Sequence, residues 1–331
     1  MPLQHVTVRV PATSANLGPG FDCMGMALRW YATVRVTRSA RFSLAIRGYG
    51  AATLPRDESN LVHVSFARAY AQMKKATPAV AIRCNNTIPL NRGLGSSSAA
   101  IVGGLAAANA LEGSPLDDDT LLALATEIEG HPDNVAPALL GGVQVVIGGG
   151  RMTGTRITGR PTDQRRGVGG SPGGDAAAQG PVAAAVRMKR GLRGVAFVPD
   201  AELSTKKARG VLPEQVLRAD AVFNAGRTAL LVLALSQGRW ELLNEATEDR
   251  LHQPQRAGLF PPMLPLFHAA RAAGARGVFL SGAGPAVLAL TDGDPATIAR
   301  AFVRAARREG VPGAAKTIGL AARGAHVTER T

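Results

Sequence analysis

The sequence has few cysteines and few aromatic residues, and both shortages narrow the class of protein. Among its 331 residues only Cys23 and Cys84 are cysteines. Their spacing fits neither a metal knuckle nor a disulfide framework. Aromatic residues make up 4% of the chain, so we expect a core built mostly from Ala, Val and Leu. The length is natural for two lobes.

Long apolar runs and several well-known site motifs are also missing. No run of 18 or more apolar residues occurs, and the opening Met-Pro-Leu-Gln-His lacks the pattern of a signal peptide. We therefore expect a cytoplasmic protein with no membrane partner. The sequence contains no Gly-Lys-Ser/Thr of a Walker A loop, no Rossmann fingerprint, no Ser-His-Asp order and no zinc spacing.

Acidic residues are outnumbered, with 24 Asp and Glu against 38 Lys and Arg, which gives a net charge of +14. Residues 151–190 hold eight of the basic and two of the acidic side chains, so +6 comes from one Gly- and Arg-rich segment. The other basic residues are scattered, with no basic stripe that alternates with aromatics. We therefore expect no nucleic-acid partner, although an anionic substrate would benefit from the positive field.

Residues 89–100, Pro-Leu-Asn-Arg-Gly-Leu-Gly-Ser-Ser-Ser-Ala-Ala, form the most informative segment. Gly93 and Gly95 allow the backbone to bend where a Cβ atom would clash. The small and apolar residues 99–111 predict a helix directly afterwards. A glycine loop that enters a helix directs several N–H groups and the positive end of the helix dipole at one spot, which suits a phosphate. Taken alone, the segment could also be a plain turn.

Two further glycine-bearing segments decide between these interpretations. Residues 11–22 read Pro-Ala-Thr-Ser-Ala-Asn-Leu-Gly-Pro-Gly-Phe-Asp, and residues 280–286 read Leu-Ser-Gly-Ala-Gly-Pro-Ala. With these three segments the chain resembles the GHMP kinases, which act on galactose, homoserine, mevalonate and phosphomevalonate, from about residue 6 to 328. The first segment and residues 129–142, Glu-Gly-His-Pro-Asp-Asn-Val-Ala-Pro-Ala-Leu-Leu-Gly-Gly, resemble the homoserine kinase branch.

The resemblance implies a two-lobed α+β fold with the active site between the lobes. Residues 1–150 would form an ATP-binding lobe like domain 2 of ribosomal protein S5, and residues 191–331 a ferredoxin-like lobe. Residues 151–190 would be a mobile insert, since the change of composition from 148 to about 181 shows no hydrophobic period. The implied activity is ATP- and Mg²⁺-dependent phosphorylation of L-homoserine in threonine biosynthesis, by an enzyme that is commonly a homodimer.

Local patterns predict the individual elements. Alternation predicts strands at 6–10, 30–37 and 42–47. Further strands are predicted at 80–84, 143–147 and 194–198, and in the apolar runs 277–280 and 287–290. Helical spacing predicts helices at 61–75, 117–128, 204–212, 221–235, 264–273 and 295–308. Residues 316–320 would close the fold.

The nucleotide site is predicted from the loop and from two neighbouring segments. Asn60 resembles the family residue near adenine or ribose, but it could equally form a turn. The loop itself contributes Pro89, Leu90, Asn91, Arg92, Gly93, Leu94, Gly95, Ser96, Ser97 and Ser98. The resemblance assigns Mg²⁺ to Ser97 and to Glu127, with Glu129 as the other candidate because both cannot enter one site from the same helix.

The acceptor site needs partners for the ammonium and the carboxylate of an amino acid. Asn16 and Asp22 suit the ammonium, while Arg209 and one of Arg250 or Arg256 suit the carboxylate. Thr205, His131 and Asn134 would lie near the hydroxyl group, and Asp133 could be a base, an orienting group or a helix cap. The third glycine segment, with Ser281, Gly282 and Gly284, should fold against the phosphate loop and the substrate.

Two other functions stay open on the sequence alone. Another small-molecule kinase of the superfamily, acting on mevalonate or a sugar, would share the three loops but would not need an ammonium partner. A non-enzymatic protein that binds anions or nucleic acid would keep the loops without ATP turnover.

Overall fold

The computed structural model describes residues 3–148 and 180–331 of the chain. Most of the predicted insert therefore lies outside the described residues. The strands of the described part form one seven-stranded sheet and one four-stranded sheet.

The first sheet is built on a long hairpin formed by β1 (His5–Asn16) and β2 (Gly20–Arg38). Its strand order is β11-β1-β2-β4-β3, with β5 also paired to β2 and β6 paired to β5. The remaining strands of this sheet are β3 (Ser43–Gly48), β4 (Val80–Asn86), β5 (Val143–Ile147), β6 (Val182–Val186) and β11 (His326–Arg330). The early part of β2, around Met24–Met26, pairs with β5, and the late part pairs with β4.

Four helices accompany this sheet. They are α1 (Leu61–Gln72), α2 (Ser96–Leu111), α3 (Asp118–Glu129) and α4 (Pro132–Leu140). Helix α2 contacts α1, α3, α4 and the sheet, and its lack of large side chains permits this close packing. A Cβ atom added at Gly104 would lie 2.2 Å from the carbonyl oxygen of Val62 in α1.

The second sheet has the order β10-β7-β9-β8 and is antiparallel throughout. Its strands are β7 (Arg193–Pro199), β8 (Gly277–Leu280), β9 (Val287–Thr291) and β10 (Gly313–Ile318). Helices α9 (Met263–Ala272) and α10 (Pro295–Arg308) pack on it over an apolar cluster that includes Phe197, Phe267 and Phe302. The chain order is βαββαβ, which is the ferredoxin-like arrangement that the resemblance implied.

The segment between β7 and β8 also contains four shorter or more exposed helical elements and one short 3₁₀ turn at Trp240–Leu242. The helices are α5 (Thr205–Gly210), α6 (Arg218–Gln237), α7 (Leu243–Ala246) and α8 (Gln253–Ala257). Within the described residues, α6 is the one helix that is long and apolar enough to cross a membrane by length and composition. In the structure it contacts α7, β2 and β6.

The observed chain path corrects the predicted boundaries at several points. Strand β6 lies inside the segment 151–190 that was predicted to be an insert, and it extends the first sheet. Strand β11 returns to pair with β1, so the last residues of the predicted second lobe belong to the first sheet. Strands β1 and β2 run through the first glycine segment, and α4 was not predicted as a helix.

Candidate active site

The three glycine-bearing segments meet at one place. The amide of Thr13 donates to the carbonyl of Leu94 at 3.1 Å, which joins the first segment to the phosphate loop. The amide of Gly282 donates to the carbonyl of Ala15 at 3.1 Å, and the Ser281 hydroxyl donates to the carbonyl of Gly93 at 2.7 Å. The predicted folding of the third segment against the phosphate loop is therefore confirmed.

The phosphate loop needs its glycines for two physical reasons. Gly93 and Gly95 have φ angles of +71° and +67°, in the left-handed region that side chains disfavour. A Cβ atom at Gly93 would lie 2.0 Å from the carbonyl oxygen of Ser281, and one at Gly95 would lie 1.9 Å from Oγ1 of Thr13. Helix α2 then begins at Ser96 with no side-chain cap, so its first N–H groups remain available to a ligand.

A cavity of about 380 Å³ opens beside this loop. Its lining includes most of the predicted nucleotide and acceptor residues: Asn16, Asp22, Asn60, Pro89, Leu90, Asn91, Arg92, Gly93, Leu94, Gly95, Ser96, Ser97, His131, Asp133, Asn134, Thr205, Arg209, Arg256 and Gly282. Ser98, Ser281 and Gly284 are buried and are not among the lining residues. The lining also includes apolar side chains that the sequence analysis assigned only to strands and helices, among them Val34, Ile46 and Val62.

The carboxylate beside the phosphate loop belongs to Glu129, not to Glu127. The hydroxyls of Ser97 and Ser98 both donate to Oε1 of Glu129, at 2.7 and 2.9 Å. Glu127 does not line the cavity and pairs with Arg68 at 2.9 Å, and hydrogen bonding by Arg68 lowers the pKa of its exposed carboxyl group. The preference for Glu127 is corrected in favour of Glu129, because residues two apart on a helix face different directions and α3 turns Glu129, not Glu127, towards α2.

Asp22 and Arg209 form a two-point ion pair in the cavity. Nη2 and Nη1 of Arg209 lie 2.7 and 2.9 Å from the two carboxylate oxygens of Asp22. The hydrogen bond to Asp22 raises the pKa of Arg209. Asn16 holds this region by accepting a hydrogen bond from the amide of Asp22 at 3.0 Å and donating to the carbonyl of Gly282 at 3.0 Å.

The structure distinguishes the two remaining candidate arginines. Arg256 lines the cavity although only 2% of it is exposed to solvent. Burial, followed by the charge of Arg209, lowers the pKa of Arg256 to about 10, so its guanidinium remains charged at neutral pH. Arg250 does not line the cavity; it lies over the ring of Phe223 and pairs with Asp220 at 3.4 Å. The prediction that left Arg250 as a candidate is corrected in favour of Arg256.

The start of α4 presents a polar cluster to the cavity. Nδ1 of His131 lies 2.5 Å from Oδ1 of Asp133, and Thr13 donates to Oδ1 of Asn134 at 2.8 Å. Burial opposes protonation of His131, but the hydrogen bond and charge of Asp133 outweigh it and raise the pKa of His131. The side chain of Asp133 is 3% exposed. This buried pairing favours an orienting role for Asp133, and its carboxylate also lies in the first turn of α4.

Asn60 both caps a helix and lines the cavity, and its contact with adenine or ribose stays a prediction. Its side chain accepts from the amide of Val62 at 3.0 Å and donates to the carbonyl of Pro55 at 2.7 Å, so it caps α1. It also lines the cavity. His252, which sequence reasoning passed over, is fully buried behind Arg256 and touches it. Its only sequence signal was its position inside the segment 248–256 that carries both candidate arginines.

Comparison with known proteins agrees with this geometry. Residues 60–142 match the family description "GHMP kinases N terminal domain", and residues 231–308 match "GHMP kinases C terminal". The chain is 42% identical to a homoserine kinase of Desulfitobacterium hafniense over 97% of this chain and 99% of that protein. The chain belongs to the homoserine kinase branch of the GHMP kinase family.

Solved structures show the GHMP kinase fold over the same extent. A homoserine kinase from Cytophaga hutchinsonii superposes with a TM-score of 0.80 at 27% identity, covering 98% of this chain and 97% of the other. A phosphomevalonate kinase of Streptococcus pneumoniae superposes with a TM-score of 0.65 at 14% identity, covering 95% and 99%, and shows the fold alone. This GHMP kinase therefore has the two-domain architecture that its three loops indicated.

Proposed function

We propose that this GHMP kinase transfers the γ-phosphoryl group of ATP to the side-chain hydroxyl of L-homoserine, giving O-phospho-L-homoserine and ADP in threonine biosynthesis. One observation carries the proposal. A single cavity joins the main-chain donors of the glycine loop to the charged set Asp22, Arg209 and Arg256. A phosphate donor and a zwitterionic acceptor would thus lie side by side, and the relatives named homoserine kinase support the choice of acceptor.

The nucleotide would lie along the phosphate loop and against the apolar part of the cavity lining. Amides of residues 92–98 and the N-terminus of α2 provide hydrogen bonds and a positive dipole end for the phosphates. Val34, Ile46 and Val62 offer an apolar surface for the adenine ring. Main-chain N–H groups would therefore do what a lysine does in a Walker A loop.

The residues beside the loop fit a magnesium ion. The hydroxyls of Ser97 and Ser98 both lie within hydrogen-bond distance of the Glu129 carboxylate, and all three groups offer hard oxygen ligands. Glu129 and Ser97 would hold the ion. When bound, Mg²⁺ neutralises charge on the transferring phosphoryl group.

The acceptor would bind by exchanging partners with the protein. Its ammonium would pair with Asp22, and its carboxylate would pair with Arg209 and Arg256. Asn134, His131 and Thr205 then face the hydroxyl end, with Asp133 orienting His131. A loose transition state asks for little activation of the nucleophile, so positioning by these groups carries most of the acceptor's contribution.

We also propose that the enzyme acts in the cytoplasm as a homodimer without nucleic-acid partners. Leu217 and Val222, at and near the start of α6, are 73% and 65% exposed, and they offer an apolar surface to a second copy. Size-exclusion chromatography with light scattering tests the dimer, and a single-subunit mass would contradict it.

A substrate panel tests the function. Initial rates with ATP and Mg²⁺ would be compared for L-homoserine, L-threonine, L-serine, mevalonate and galactose. We expect homoserine to have the highest kcat/KM. A higher kcat/KM with mevalonate or galactose would indicate the activity of another branch of the superfamily. No ATP turnover with any acceptor, together with a gel shift of nucleic acid at moderate salt, would favour the non-enzymatic alternative.

A further inference from the structure

A buried polar cluster stands directly behind the acceptor end of the cavity. His252 has no exposed surface and Arg256 is 2% exposed. Asp249 is the third member of this cluster. Its carboxylate accepts hydrogen bonds from the amides of Leu251, His252 and Gln253, and Oδ2 lies 3.6 Å from Nε2 of His252. A charged guanidinium so fully buried needs acceptors that hold it in one place.

The hydrogen bonds of His252 define which ring nitrogen carries the proton. Nε2 lies 2.7 Å from the carbonyl oxygen of Gly18, and a carbonyl can only accept, so Nε2 carries the hydrogen. Burial is the main cause that lowers the pKa of His252, to about 4, so the ring is neutral at neutral pH. Nδ1 is then an acceptor, and Nη1 of Arg256 donates to it at 3.0 Å.

Two further acceptors complete the anchoring of Arg256. Nη1 also donates to the carbonyl of Gly282 at 3.0 Å, and Nε donates to the carbonyl of Ala208 at 3.2 Å. Among the residues that the structure describes, none accepts a hydrogen bond from Nη2. This arm of the guanidinium stays available to a ligand, on a side chain that lines the cavity.

The same cluster links the two charged ends of the acceptor site. The carbonyl of Gly282 accepts both from Arg256 and from Nδ2 of Asn16, which in turn holds the amide of Asp22. His252 fixes the opposite side by its bond to Gly18, in the turn between β1 and β2. The ring of Phe21 stacks on His252 with centroids 5.2 Å apart. The ammonium partner and the carboxylate partner therefore share one framework.

We propose that His252 is a positioning residue of the acceptor site. Its imidazole, held at Nε2 by the Gly18 carbonyl, presents Nδ1 as the acceptor that aims the guanidinium of Arg256 at the carboxylate of the acceptor amino acid. The proposal rests on the proposed function, because it needs an acceptor with a carboxylate. It assigns to His252 a role in selectivity that differs from simple support of the fold.

Two substitutions in the full chain test separately the two hydrogen bonds that the His252 ring makes, to Gly18 and to Arg256. In His252→Gln the longer side chain reaches the position of Nε2, keeps the bond to Gly18 and loses the acceptor for Arg256. In His252→Asn the amide oxygen reaches the position of Nδ1 and keeps that acceptor. Rates would be measured with L-homoserine and with 3-aminopropanol, which has the same amine and hydroxyl but no carboxylate, and the KM for ATP would be measured beside them.

The expected result is a selective loss in His252→Gln. The KM for homoserine should rise about tenfold, with kcat changed by less than about threefold. The kcat/KM for 3-aminopropanol and the KM for ATP should stay near the values of the unaltered protein, and His252→Asn should recover most of the homoserine affinity. Equal losses for both acceptors, an unchanged KM for homoserine, or equal effects of the two variants would overturn the proposal.

A measurement on the unaltered protein decides the case if a variant fails to fold. The ¹⁵N chemical shifts of the His252 ring at neutral pH should show a hydrogen on Nε2 and a bare Nδ1 that shifts when homoserine binds. A hydrogen on Nδ1, or a charged ring, would refute the role. Failure of the proposed function is seen separately, since it requires that the unaltered protein not phosphorylate homoserine at all.

Discussion

The guanidinium of Arg209 donates two hydrogen bonds to the carboxylate of Asp22, with N–O distances of 2.7 and 2.9 Å. This ion pair lies in the cavity where an amino acid would bind. Each partner has the charge that a zwitterion needs in its own binding site. An entering amino acid would therefore replace one internal ion pair by two pairs with the protein. This exchange favours ligands with both charges, because a ligand with only one charge leaves Asp22 or Arg209 without a partner.

Removal of the charge of Asp22 or of Arg209 should weaken the binding of the acceptor more than the binding of ATP. We expect Asp22→Asn and Arg209→Gln each to raise the KM for homoserine by about 10- to 100-fold, since hydrogen bonds to charged groups contribute about 1.5–3 kcal/mol. Steady-state kinetics with varied homoserine would measure the change. Arg250→Gln is the matched control, because that arginine pairs with Asp220 outside the cavity and should leave the KM unchanged. A raised KM for homoserine in Arg250→Gln, with no change in Arg209→Gln, would contradict this assignment and make Arg250 a carboxylate partner.

Substitution of each of the two glutamates at the end of α3 should show which one belongs to the metal site and which one lies on the surface. Glu129→Gln should raise the Mg²⁺ concentration for half-maximal rate about tenfold or more, because an amide is a weaker ligand than a carboxylate. Glu127→Gln should leave the Mg²⁺ dependence unaltered, since that side chain is 60% exposed and pairs with Arg68. Magnesium titrations of the initial rate check both variants. An effect confined to Glu127→Gln would reinstate Glu127 as the ligand.

Local sequence patterns predicted those helices and strands whose own residues show the pattern of a helix or a strand. Strand β5 has the predicted bounds, and α1 and α2 differ from prediction by a few residues, because helical spacing marks α1 and a run of small and apolar residues marks α2. The first half of β2 shows no such alternation, since Met24, Met26 and their neighbours are covered on both faces. Strand β11 depends on pairing with β1 at the other end of the chain, which no local pattern reports.

The sequence predicted the loops of the candidate site, but it did not decide between neighbouring side chains of the same type. The glycine loops could be located because their backbone geometry demands glycine at fixed positions. The choice between Glu127 and Glu129 depends on the rotation of α3 about its axis. The choice between Arg250 and Arg256 depends on how the segment 248–256 folds, which pairs Arg250 with Asp220 and buries Arg256 in the cavity wall. Both are tertiary properties, so the sequence left two candidates in each case.

The close contact at Gly93 gives a prediction about the phosphate loop. Gly93→Ala should lower kcat/KM for ATP by about tenfold or more, because its Cβ would meet the Ser281 carbonyl oxygen at 2.0 Å and displace the loop. Gly113→Ala is the matched control: its φ of +82° imposes similar backbone strain, but nothing lies within 4 Å of the added Cβ. The control should lose about 1 kcal/mol of stability and keep its ATP kinetics. Equal kinetics in the two variants would contradict the role of this contact.

A carboxylate remote from the cavity should set part of the acid stability. Glu112 accepts from Tyr70 at 2.7 Å and pairs with Arg38 and Lys75, and its side chain is 13% exposed. Hydrogen bonds from Lys75 and Tyr70 lower the pKa of Glu112 from 4.5 to about 2. Because the folded state lowers this pKa, the contribution is complete above pH 4.5 and is lost as the pH falls towards about 2.

Glu112→Gln should therefore lower the free energy of unfolding at pH 7 by about 1–2 kcal/mol, a value reduced for the partial exposure of the partners. The difference between the variant and the unaltered protein should shrink as the pH falls from 4.5, because the carboxyl group of the unaltered protein then becomes neutral in both states. Urea unfolding at pH 7, 4 and 3 measures both effects. Glu127→Gln, with a single exposed partner, should show a much smaller difference at pH 7. A difference for Glu112→Gln that grows on acidification would mean that its pKa is raised in the folded protein and that these three contacts do not stabilise the charged form.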